Sequence, residues 1–91
     1  MTHVLKCWPD FFRETCDGEK SFEVRKYDRD YNVGDILELL EYNPTLKHLP
    51  EARRYTGRKC RVEVTFIMIA GESDPFDILK PGTCVMGIRL V

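Results

Sequence analysis

Between Pro9 and Gly18 the chain has room for one helix of about two turns, and a helix that short is not stable alone in water. Trp8, Phe11, Phe12, Thr15 and Cys16 recur at helical spacing, with Asp10, Arg13, Glu14 and Asp17 on the opposite side. Proline is pre-set for a first helical turn, and glycine takes the left-handed conformation that ends one. The apolar stripe must therefore lie on a sheet. Its aromatic rings are expected to be core, with a ligand platform as the other use of the same residues.

The rest of the chain reads as strands. His3 to Cys7 is β-prone. Ser21 to Lys26 alternates, with Phe22 and Val24 on one side and Ser21, Glu23 and Arg25 on the other. Ile36 to Tyr42 follows, with Leu37, Leu39 and Leu40 expected in the core, and stops at Asn43-Pro44. Asn43 to Gly57 is expected to be a long connection, and loops of that length are often functional. Cys60, Val62, Val64 and Phe66 open the fourth strand; Cys84, Met86, Ile88 and Leu90 mark the face of the last. A helical turn is expected over Phe76 to Leu79. The order β-α-β-β-β-β, mostly antiparallel, predicts an α+β, mostly β chain: a small mixed barrel that avoids bare strand edges.

Ninety-one residues predict a single domain, 1–91. Hydrophobic residues make up 43% and charged residues 32%, which argues against disorder. The formal net charge is -1, so attraction to nucleic acid or membrane must come from a local patch. No apolar run approaches the ~20 residues of a membrane span, and the first residues lack a signal-peptide core. The expectation is a cytoplasmic protein with no membrane partner. Cys7, Cys16, Cys60 and Cys84 form no C-x-x-C pair, and neither His3 nor His48 stands at ligand spacing from them. Reduced thiols, no metal and no cofactor are expected.

Gly18 to Asp35 is the chain's most charge-dense turn–strand–loop stretch, with acids and bases nearly cancelling. Within it Lys20, Glu23 and Arg25 could hold a phosphate or carboxylate, Arg in bidentate fashion and Lys as a point charge. Glu23 could accept from a base amino group or a ribose hydroxyl. The same spacing also suits a solvated face carrying cross-strand pairs of little worth. Arg53, Arg54, Arg58, Lys59 and Arg61 oppose one acid, Glu51, and enclose Tyr55. Such a patch suits single-stranded nucleic acid, the cations attracting backbone and the tyrosine stacking a base. It equally suits a solvated loop with a turn at Tyr55-Thr56-Gly57. Asp28, Arg29 and Asp30 lie between Tyr27 and Tyr31. Two carboxylates there could hold Mg²⁺, though Asx-type bonds to loop backbone account for them more simply. No histidine neighbours Ser21, Cys7 or Cys60 in sequence to activate a nucleophile.

Six elements in order resemble the PUA-like superfamily, specifically its ASCH (activating signal cointegrator homology) group. They are Leu5-Lys6 before Trp8-Pro9 and the helix; Gly18-x-Lys20-x-x-Glu23-x-Arg25-Lys26; Asp28-Arg29-Asp30; Val33-Gly34-Asp35; Tyr55-Thr56-Gly57-Arg58; and Val85-Met86-Gly87. Within that group the chain looks most like a small branch of unknown function common in bacteriophages and bacteria. The resemblance spans nearly the whole chain. It implies a partly open mixed β-barrel of five to six strands with one N-terminal helix across an end. It also implies a cleft between that helix, the second strand and the long loop. ASCH relatives are proposed to bind RNA or modified nucleosides, and a few hydrolyse acylated cytidine. Lys20 and Arg25 match those hydrolases, but Glu23 stands where they carry a threonine nucleophile.

These readings predict an RNA- or nucleotide-binding module with a basic cleft made by Lys20, Glu23, Arg25, Arg29, Arg54, Tyr55 and Arg58. Its expected partner is single-stranded RNA or a modified nucleoside. One alternative is a small amidohydrolase-like enzyme on a modified nucleoside, or a nuclease, with Lys20 and Glu23 as catalytic pair. Another is a phage accessory protein that binds a host protein.

Overall fold

A computed structural model describes all residues, 1–91. Five strands and one α-helix follow the order β1 (Thr2–Cys7), α1 (Pro9–Cys16), β2 (Phe22–Lys26), β3 (Ile36–Tyr42), β4 (Tyr55–Ile69) and β5 (Thr83–Leu90). A 3₁₀ turn, Glu51–Arg54, precedes β4. The strands form one mixed sheet in the order β1-β3-β4-β5-β2. β1 runs parallel to β3, and the other three pairings are antiparallel. A parallel pair needs a crossover; here the chain makes it through α1 and β2.

The sheet curls into a half-barrel around Leu5, Leu37, Leu39, Val62, Val64 and Met86, with Phe12 of α1 as the helix's plug. Burying side chains of this size contributes about 1.5–3 kcal/mol each. Pro9 opens α1, and Gly18 (φ +78°) lies just past its end, as the sequence predicts. No helix is long and apolar enough to cross a membrane.

The sheet's two edges, β1 and β2, do not pair with each other. They face across a seam bridged by Arg25, whose Nη2 donates to the Lys6 carbonyl at 2.8 Å. That seam is what leaves the barrel open.

Several expectations change, and Leu40 is one of them, being only partly buried and outside the core that Leu37 and Leu39 join. The long connection is shorter than expected, because β4 begins at Tyr55. Asn43 N–H donates to the Arg54 carbonyl at 2.9 Å, and Tyr42 pairs with Tyr55, so the β3–β4 ladder extends past its irregularity at Leu40/Tyr42. The turn signal at Gly57 (φ +91°) falls inside the strand. Phe66 leaves the core face and is 60% exposed, because the β4–β5 register shifts between Val64 and Phe66. Gly87 fits against that bulge: a Cβ there would lie 2.9 Å from Thr65 Oγ1. Residues 76–79 form an irregular turn in which the Asp74 carboxylate accepts from the N–H groups of Phe76, Ile78 and Leu79.

Candidate functional site

In β2 the alternation holds, but it is Glu23 that is buried, at 3% exposure, while Phe22 and Val24 stay half exposed. An unpaired carboxylate in such a place would be costly. Two cations meet it. Arg25 Nε donates to Oε2 at 2.9 Å, and Lys20 Nζ donates to Oε1 and to the Phe22 carbonyl. Helix α1 places Lys20: the N–H groups of Glu19 and Lys20 both bond the Glu14 carbonyl, at 3.0 and 3.1 Å, folding the turn back against the helix end.

This triad lies on a cleft of about 800 Å³ between the end of β1, α1 and β2, a volume within the range of small-molecule sites. Its walls are aromatic. Trp8 and Phe11 stack with centroids 6.5 Å apart and planes 20° from parallel. Lys20 Nζ lies 5.8 Å from the Phe11 centroid and 5.1 Å from that of Phe22. The expectation that Trp8 and Phe11 are core fails: they are 56% and 49% exposed. Adjacent residues on a helix project about 100° apart, so Phe11 and Phe12 cannot both face the sheet. Trp8, at the N-cap, lies outside the helical arc altogether. Cys7 borders the cleft too; burial, aided by the Glu23 carboxylate, pushes its thiol up to about 11, which leaves it protonated and poorly nucleophilic at neutral pH.

A second hollow of about 380 Å³ continues along the seam and shares Lys6 and Arg25 with the first. Lys26, Arg29 and Tyr55 line it. Arg29 holds Asp28 loosely, at 3.6 Å, and lies over the Tyr31 ring. Lys6 lies over the Tyr42 ring at 4.5 Å and pairs with Glu51.

Of the predicted residues, Lys20, Glu23 and Arg25 come together on the larger cleft, while Arg29 and Tyr55 join Arg25 on the smaller hollow. Arg54 and Arg58 line neither. Arg54 turns back on its own loop, donating to the Leu49 and Lys47 carbonyls at 3.0 and 3.2 Å. Arg58 grips the buried Glu41 through Nε and Nη2, at 2.9 and 3.0 Å, and Thr56 Oγ1 also donates to that carboxylate, at 2.6 Å. Lys59 pairs with Glu38 at 3.5 Å. The basic segment is thus largely spent on structural pairs and does not form one patch.

Asp28 and Asp30 are not the loop's principal backbone acceptors. That role falls to Asp35, which takes the Asn32 N–H at 3.0 Å and His3 Nε2 at 2.8 Å. His3, buried, meets the Tyr31 ring edge-on with centroids 4.8 Å apart. Burial alone would raise the Asp35 pKa, but the bonds from His3, Asn32 and the terminal ammonium outweigh it and hold the group below its ordinary range. Neither His3 nor Asp35 lines either hollow, so the pair is a structural bracket between the starts of β1 and β3. No three His, Cys, Asp or Glu side chains gather as a metal site requires.

For Trp8 and Phe11 the sequence favoured core, with a ligand platform as the other use; the residues it missed are the cleft wall Phe22 and the seam cations Lys6 and Lys26. The adjacent Phe11-Phe12 pair was the available signal for one wall. The seam cations carried none, because nothing local says that β1 and β2 face each other.

A half-barrel with one helix and a seam-side cleft defines the class of this chain. It belongs to the family described as Domain of unknown function (DUF3850), whose model matches residues 2–88. A solved structure called hypothetical protein PH0355 shares the fold, with a TM-score of 0.62 at 15% identity over 100% of both chains. No curated protein sequence matches.

Proposed function

We propose that this chain is a nucleotide- or RNA-binding module and that the cleft beside β2 holds the base. One observation carries the reading: Lys20, Glu23 and Arg25 converge at a cleft of about 800 Å³ whose walls are the exposed rings of Trp8, Phe11 and Phe22. Every base has a π face, and stacking on an aromatic wall contributes about 1–3 kcal/mol per base without demanding one sequence. The polar cluster supplies donors and a carboxylate edge beside that wall. The resemblance to ASCH domains, which are proposed to bind RNA or modified nucleosides, points the same way.

Filter binding of a random single-stranded RNA pool across a salt series tests it. Retention is expected at low salt with a steep decline as salt rises. Trp8→Ala should weaken binding about tenfold while leaving the fold intact, since the ring is more than half exposed. No retention at the lowest salt sinks the proposal.

A hydrolase acting on a modified nucleoside draws on the same contact between Lys20 and Glu23 beside the cleft. Incubation with acetylated cytidine followed by chromatography checks it. Turnover lost in Glu23→Ala supports the enzyme; no turnover leaves the binding module alone.

A further inference from the structure

The two hollows differ in how their cations are spent. In the larger cleft Lys20 and Arg25 both satisfy Glu23 and Lys6 pairs with Glu51, while Glu14 and Glu19 also line it without a cationic partner, so that cleft offers no unspent cation. In the smaller hollow Lys26 makes no side-chain bond within the chain, and Arg29, over the Tyr31 ring, has one loose ion pair, with Asp28, the single carboxylate on that wall. Arg25 stands between them. Its Nε is on Glu23 and its Nη2 on the Lys6 carbonyl, while Nη1 has no protein partner and is not sealed from solvent. A cleft of aromatic faces, spent cations and free carboxylates suits a flat group with amino donors and no negative charge; a neighbouring hollow with four cations against one carboxylate, Asp28, suits an anion.

We propose that the seam reads one nucleotide in two parts, the base in the larger cleft and the adjoining backbone phosphate in the smaller hollow, held by Lys26, Arg29 and the free edge of Arg25. This rests on the nucleotide reading above and extends it: the preferred ligand is a phosphodiester strand, not a free nucleoside. Arg25 and Lys6 line both hollows, so the two subsites adjoin, as a base and its own phosphate do. The arrangement also divides the energetics. Stacking is nearly indifferent to salt, whereas each phosphate neutralised on a single strand contributes about 0.7 to the slope of log K against log salt.

The test uses the whole chain and a fluorescein-labelled RNA hexanucleotide of random sequence, with adenosine and inorganic phosphate as competitors. The double variant Lys26→Ala/Arg29→Ala removes two exposed side chains, and circular dichroism confirms that it folds. Its affinity for the hexanucleotide should fall at least tenfold, and its salt slope should shrink by about 0.7, the share of one phosphate. Trp8→Ala should weaken binding without changing the slope. Unchanged affinity and slope in the double variant overturn the phosphate subsite while leaving the base cleft standing. Inorganic phosphate competing as well as unlabelled hexanucleotide overturns the two-part reading in favour of a general anion hollow. Absence of hexanucleotide binding by the unaltered chain at low salt removes both proposals.

Discussion

Glu23 and Glu41 are both buried glutamates, 3% and 2% exposed, and each is held by cationic side chains on or beside a sheet strand. The resemblance stops there. Glu41 is gripped through two nitrogens of one arginine, Arg58, whose side chain is 72% exposed, and neither residue lines the two hollows. Glu23 divides its oxygens between Lys20 and Arg25, both sheltered and both on the large cleft. A paired, buried carboxylate is therefore no mark of a site by itself. What separates the two is whether the pair adjoins open, ring-walled space.

The contrast can be broken most severely at Arg58. Arg58→Ala leaves Glu41 buried with only Thr56 as donor, and stability should fall by about 3 kcal/mol in urea denaturation, with RNA binding per folded molecule unchanged. Loss of binding with stability intact would make Arg58 a ligand residue after all. Arg25→Ala is the counterpart. Lys20 still holds Glu23, so the cost should be smaller, about 2 kcal/mol, but hexanucleotide affinity should drop at least tenfold. Equal binding by both variants would erase the distinction between clamp and site.

A subtler probe acts through the backbone. Phe22 pairs with Gly87, and a Cβ at Gly87 would crowd Thr65. Gly87→Ala should cost about 1 kcal/mol, a mild overpacking effect, and should disturb the Glu23 strand while sparing Glu41. Thermal melts and RNA affinity measured together show whether that selectivity holds. Asp35 supplies the smallest test. Its folded pKa lies below the ordinary 3.8, so its contribution is complete above that value and disappears as pH falls through the lower, folded one. Asp35→Asn should flatten the acid limb of a stability–pH profile without altering binding at neutral pH.

Much of this was legible in the residues. Short alternating runs and a single capped helix imply a small mixed barrel, and the G-x-K turn followed by alternation groups Lys20, Glu23 and Arg25. The inward face of β2 was not legible from β2 itself, where Phe22 and Val24 look like the better core. Pairing decides it: Glu23 lies opposite Met86, and opposed residues share a face. The longer row of Cys84, Met86 and Ile88 in β5 is buried and carries Glu23 in with it. Arg58 misled for the same reason. A run of cations looks like a patch until Glu41, on the neighbouring strand, is brought against it.

The placement of β2 also bears on how the molecule is made. That strand's one ladder partner is β5, so residues 22–26 wait for residues 83–90. On a ribosome, β1, β3 and most of β4 can assemble first, while the cleft has no second bank until β5 emerges. Pairing over so long a stretch of chain is slow, and its edges are vulnerable while they wait. Closure of the cleft would then report that β5 is in place, since no truncated intermediate lacking that strand can hold β2.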